Sequence, residues 1–251
     1  MLPMNRGFLM GATQDFHYEH DGLTLTGQLA LPPGAGPHPA VMVMHSALGH
    51  DDLVVRRAAD LAALGYVGVA TDMYGADRAL SREEVGAYLL PLLEDPKLLR
   101  ARVIATFDAV QDIPVVDRER VSAIGFCFGG QCALELARSG TQVRSVVSLH
   151  GLLTTASPAR RGMVTAKVLS ITGRHDPYVP AADVEAFQRE MDDAEVDWQT
   201  TVYSAGLHAF AMPNVAAHAV DGAAYDPLLD HLSWAQATTF LAASFFGEPA
   251  H

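Results

Sequence analysis

Cysteine is scarce. The 251 residues hold two, Cys127 and Cys132, five positions apart. That spacing excludes a disulfide framework and a C-x-x-C motif, and reduced thiols suit a cytoplasmic setting. Membrane-length apolar runs are also missing: no 18 consecutive apolar residues occur, so no membrane association is expected. The opening segment Met1–Ala12 is interrupted by Arg6 and Gly7 and is too short for a signal sequence. Positive charge is in deficit, with 17 Lys and Arg against 29 Asp and Glu, a formal net charge of −12. Such a balance argues against nucleic acid or an anionic membrane as partner. Neither G-x-G-x-x-G nor G-x-x-x-x-G-K-[ST] appears, so no nucleotide cofactor is implied. His45, His50, Asp51 and Asp52 crowd one loop but lack H-E-x-x-H or comparable spacing. Helix-capping aspartates and a pocket-edge histidine account for them, and neither metal nor other cofactor is expected. No repeat, linker or low-complexity stretch divides the chain, so one domain over 1–251 is expected.

What is present is apolar and orderly. Hydrophobic residues make up 49% and charged residues 18%, enough for a compact fold with a large core. Asp21-Gly22 between the alternating runs 15–19 and 23–31 predicts an antiparallel hairpin. Apolar strands follow at 40–44, 66–70, 121–126, 143–149 and 167–172, with an alternating edge-type strand at 196–203. Helical patterns lie between them. Asp51 or Asp52 caps a helix over 54–64, and Ser81–Glu84 forms a capping box for a helical region that Pro91 and Pro96 interrupt. Further helices are expected over 98–110, 128–138, 180–195 and 227–246. Strands alternating with helices predict an α/β fold, a mostly parallel sheet covered on both faces and preceded by an antiparallel hairpin.

In such a sheet the functional loops lie at the carboxyl ends of the strands. One of these reads Gly125-Phe-Cys127-Phe-Gly129, the pattern G-x-nucleophile-x-G with cysteine where serine is commoner. On a sharp strand-to-helix turn, side chains two residues either side of the nucleophile collide, so glycine is needed at both places. The turn sets the sulfur at a helix N-terminus, which favours the thiolate. A buried structural cysteine on a glycine-rich turn is the alternative. Asp176 and His208 argue against it. Each follows an expected strand, and the order nucleophile, acid, histidine is the one this fold uses. A thiol needs a base, and the base needs an orienting carboxylate. Alone, Asp176 could start a turn before Pro177, and His208 could be a surface residue. Cys132, a turn and a half into the helix, reads as a small core residue.

With these residues in view, the chain resembles the dienelactone hydrolase family of α/β-hydrolases over nearly its whole length. The resemblance rests on Gly125-Phe-Cys-Phe-Gly-Gly130, Asp72-Met-Tyr-Gly75, Gly173-Arg-His-Asp176, His208-Ala-Phe210, and Trp234 before Phe240-Leu241. It implies a carboxylic ester or lactone hydrolase with Cys127 as nucleophile, His208 as base and Asp176 as orienter. The backbone N–H groups of Phe128 and Ala47 would form the oxyanion hole. Family enzymes carry a glutamate where this chain has Ser46, and a serine and an arginine that bind the substrate carboxylate where it has Ala209 and Met212. Together with Tyr74, these are the expected substrate-contacting positions. A small ester or lactone less anionic than a dienelactone is therefore expected, with Cys127 paired directly to His208. Arg78 and Arg82 read as solvated surface arginines. Thioester cleavage or another acyl hydrolysis on the same triad, and a non-catalytic ligand-binding or thiol-sensing module, are the competing functions, and the chain is expected to be a monomer or homodimer.

Overall fold

Asp21 and Gly22 turn the chain with φ of 52° and 73°, the positive values that a type I′ hairpin turn needs at both central residues. They join β1 (Gln14–His20) to β2 (Leu23–Ala30). The computed structural model describes residues 13–247; the expectation for residues 1–12 falls outside them. Six further strands follow: β3 (His38–Met44), β4 (Val67–Thr71), β5 (Val116–Phe126), β6 (Ser145–Leu149), β7 (Lys167–Gly173) and β8 (Trp198–Tyr203). Among the described residues they form one eight-stranded sheet in the order β1-β2-β4-β3-β5-β6-β7-β8. The β1–β2 and β2–β4 pairs are antiparallel; every other pair is parallel.

The interior strands are apolar on both faces because both faces are covered. In β3, Met42 and Met44 enter the core on one side of the sheet, and Val41 and Val43 enter the core on the other. The helices α1 (Asp52–Ala63) and α6 (Pro227–Phe246) cover the valine side. On the methionine side lie α2 (Arg82–Glu94), α3 (Pro96–Gln111), α4 (Phe128–Arg138) and α5 (Ala181–Asp193). Packing is tight where the sequence supplies glycine: a Cβ on Gly68 of β4 would stand 2.0 Å from the Ala58 carbonyl oxygen of α1.

Helix starts follow the side chains at hand. Asp51, not Asp52, caps α1 by accepting the Leu53 and Val54 amides. Ser81 and Glu84 form the expected capping box. Two elements depart most from the sequence reading. Pro91 lies inside a continuous α2. It and Ala87, whose carbonyl it leaves without an intrahelical partner, are both exposed, so water can take the place of the missing N–H. Strand β5 begins at Val116, pairing there with His38 before a register shift. The charged run Asp117-Arg-Glu-Arg120 interrupts its apolar pattern, which is why only 121–126 reads as strand from the sequence.

Candidate active site

The parallel strands β3 to β8 all run the same way, so the loops after them converge on one edge of the sheet. At the centre is Cys127, between β5 and α4, with φ 54° and ψ −115°. A non-glycine residue held there is strained by about 1–3 kcal/mol and persists only when its surroundings over-determine it. Those surroundings are close. A Cβ on Gly125 would lie 2.0 Å from the Gly129 carbonyl oxygen, and one on Gly129 would lie 2.2 Å from that of Met44. Glycine at both places lets α4 rise directly from the strand.

Three side chains from different loops meet here. His208 Nε2 lies 3.1 Å from Cys127 Sγ, and His208 Nδ1 lies 2.8 Å from Asp176 Oδ2. Asp176 is buried and its Oδ1 accepts the Tyr178 amide at 2.8 Å, which fixes the carboxylate. Burial pushes the Cys127 thiol up, but the hydrogen bond and charge of His208 outweigh it. With the backbone N–H groups of Ala47 and Phe128, they bring the thiol below its ordinary value. For His208, burial acts downward, while the bonds and charges of Asp176 and Cys127 raise it to about 10. Both shifts favour a thiolate beside an imidazolium.

The two N–H groups that reach the sulfur belong to the loop after β3 and the first turn of α4. They are in place to receive an oxyanion formed on a carbonyl bonded to that sulfur. Their supports lie beneath. His45 is fully buried, not a pocket-edge residue; it donates from Nδ1 to the Ser46 carbonyl (2.7 Å) and accepts the Met73 amide at Nε2 (3.0 Å). Asp72 accepts the Tyr74 and Gly75 amides on Oδ1 and the Thr26 amide on Oδ2, tying the end of β4 to β2. Tyr74 is expected to contact substrate, but its ring is buried and stacks on Phe128 with centroids 5.7 Å apart. Its hydroxyl reaches the Ala47 carbonyl at 3.4 Å. It braces the loop from behind, because the short turn at Asp72 directs it inward.

A cavity of about 410 Å³ opens over Cys127. Ser46, Ala47, Phe128, His208, Ala209 and Met212 line it. Ser46 Oγ is occupied by the Leu48 amide at 3.2 Å. Much of the remaining wall is apolar and comes from segments the sequence reading did not assign to the site. Val85, Leu89 and Leu93 face it from α2, and Val215 and His218 from a 3₁₀ turn at Val215–His218. The α2 stripe has an i, i+4, i+8 spacing that identifies one helix face. Of the two nearby arginines, Arg82 lines the cavity, whereas Arg78 is engaged with Glu84. Another side chain missed by sequence reasoning is His150, which meets both Cys127 and His208 from the end of β6. Its only sequence signal is a histidine directly after an apolar strand.

Asp51 caps α1 and holds Asn214, and His50 approaches the Ala70 carbonyl. Among the described residues no group of three or more His, Cys, Asp or Glu is arranged to hold a metal ion, and no helix is long and apolar enough to cross a membrane.

The fold agrees with that of known proteins. Residues 25–245 match the model of the dienelactone hydrolase family. The crystal structure of a dienelactone hydrolase-like promiscuous phosphotriesterase from metagenomic libraries superposes with a TM-score of 0.88 at 31% identity, covering 93% of this chain and 98% of that one. A protein of Bradyrhizobium sp., named probable 2-oxo-3-(5-oxofuran-2-ylidene)propanoate lactonase, is 27% identical over 232 residues, 88% of this chain and 90% of its own length. A dienelactone hydrolase from Anabaena variabilis shares the fold, with a TM-score of 0.67 at 20% identity over 93% of this chain and 98% of that one.

Proposed function

The protein belongs to the dienelactone hydrolase family of α/β-hydrolases and is a carboxylic ester hydrolase; on that premise we propose that Cys127, His208 and Asp176 cleave esters or lactones through a thioester acyl-enzyme. The observation that carries this reading is the 3.1 Å approach of His208 Nε2 to Cys127 Sγ.

The thiolate attacks the ester carbonyl carbon, and the carbonyl electron pair moves to oxygen, where the Ala47 and Phe128 N–H groups hold it. Collapse of the tetrahedral intermediate breaks the bond to the alkoxide, which takes the proton from His208 Nε2. A thioester and a neutral imidazole remain. His208 then takes a proton from water as that water adds to the thioester carbonyl, and the second collapse releases the acid and the thiolate. The imidazolium–thiolate pair is restored. Asp176 accepts from Nδ1 and keeps the Nδ1–H tautomer. The reaction needs no cofactor, and the whole catalytic unit is a single domain.

The apolar wall formed by α2, Met212 and Val215 favours a neutral, largely apolar substrate over a carboxylated dienelactone. The test is turnover of aryl esters and lactones by wild type, Cys127→Ala and Cys127→Ser. Loss of turnover in the alanine variant supports a nucleophilic Cys127; unchanged turnover contradicts it, and no turnover in wild type favours the thiol-sensing alternative. The metagenomic relative is a phosphotriesterase, so a neutral phosphotriester belongs on the same panel.

Arg82 favours a second reading, in which the substrate carries an anionic group bound at the cavity wall. Arg82→Met separates the two. It should leave neutral aryl esters unaffected and, under the second reading alone, lower kcat/KM for carboxylated lactones.

A further inference from the structure

His150 follows the last residue of β6 and is fully buried. Three features set it apart from a packing residue. First, its φ is +40°, a conformation that costs a non-glycine side chain stability. Second, its Nδ1 accepts the Cys127 amide at 3.2 Å, an amide that also donates to the Leu149 carbonyl at 3.0 Å. The ring proton therefore sits on Nε2, which has no acceptor among the described residues. A buried donor left in that state costs further stability. Third, the ring stands edge-to-face against His208, with centroids 5.5 Å apart, and against Phe210 at 5.0 Å. Tyr178 meets His208 from another side at 4.8 Å.

We propose that His150 is a positioning residue of the hydrolase site, holding the backbone of Cys127 with its Nδ1 and the ring of His208 by their edge-to-face contact, so that one side chain sets the distance between sulfur and base. This rests on the proposed roles of Cys127 and His208. His150 does not reach the cavity lining, so it acts on substrate only through those two residues. Burial, then the charge of His208, drive its own protonation far down, so it remains neutral. Neutrality is a requirement of the role: a charged ring beside His208 would repel the imidazolium that the thiolate needs. The chain accepts an orphaned donor and a strained backbone here, two costs that Phe or Asn would reduce. An outlier of this kind beside reacting groups points to function and not to fold.

Two substitutions separate the parts. His150→Phe keeps a flat ring but removes both ring nitrogens. His150→Asn places a side-chain oxygen near the Nδ1 position and belongs to the residues that tolerate positive φ. Each variant is measured for melting temperature, kcat, KM and the pH dependence of Cys127 alkylation by iodoacetamide. In His150→Phe, folding should survive and KM should change little, while kcat falls roughly tenfold to a hundredfold, the scale of a misplaced reacting group. Its alkylation inflection should move up in pH, and His150→Asn should bring it back toward wild type. The proposal is overturned if His150→Phe keeps the wild-type alkylation profile, or if kcat per folded molecule is unchanged. Retained turnover in Cys127→Ala would instead sink the nucleophile reading, whereas the alkylation profiles still report on what His150 does to the sulfur.

Discussion

Cys127 Sγ and His208 Nε2 stand 3.1 Å apart in the resting chain, while Ser46 Oγ accepts the Leu48 amide. The thiol has the base as its direct partner. Its pKa is shifted down and that of His208 is raised to about 10, and each shift favours the charged pair. A thiol with a lowered pKa reaches its thiolate at lower pH. The rate of iodoacetamide alkylation against pH should therefore inflect below the free-thiol value of about 8.5.

Asp176 holds His208 Nδ1 at 2.8 Å. In Asp176→Asn the carboxylate charge that supports the imidazolium is gone. The His208 pKa should fall, the Cys127 inflection should move up toward the free-thiol value, and kcat should drop by roughly 10³–10⁴-fold. Steady-state kinetics with alkylation profiles on the same preparation check both.

Tyr74 separates bracing from substrate contact. Its long hydrogen bond to the Ala47 carbonyl contributes little, so Tyr74→Phe should leave kcat and KM near wild type. Tyr74→Ala removes the ring stacked on Phe128 and should cost about 3–5 kcal/mol of stability. Denaturant titration measures this.

Gly129 faces the end of β3, where a Cβ would lie 2.2 Å from the Met44 carbonyl oxygen and 2.7 Å from that of His45. Backbone, not a flexible side chain, is in the way. Gly129→Ala should destabilise by about 1–3 kcal/mol or more and lower activity with it, as read by melting temperature and turnover.

The framework of the site was legible because each part has a local signature. The elbow has its paired glycines, Asp176 and His208 each follow an expected strand, and the Asp-Gly hairpin has its turn residues. What was not legible depends on direction and distance. Tyr74 sits at a strand end like the reacting groups, but only the turn held by Asp72 shows that its ring goes beneath the loop. Pro91 carries a helix-breaking signal that exposure on the solvent side cancels. His150 is a single residue with no spacing pattern, and its contacts with Cys127 and His208 cross 23 and 58 positions of chain. The cavity wall from α2 was present as an apolar stripe, yet nothing local says which face of that helix looks over the sulfur.

The central claim is a covalent acyl group on Cys127. Wild type is mixed with an aryl ester, quenched in acid within the first turnovers, and digested for mass spectrometry. The account predicts that the peptide bearing Cys127 gains the mass of the acyl group less one hydrogen. It also predicts that Cys127→Ala shows neither adduct nor turnover. Full turnover by Cys127→Ala, or an adduct formed on another residue with Cys127 unmodified, would contradict it.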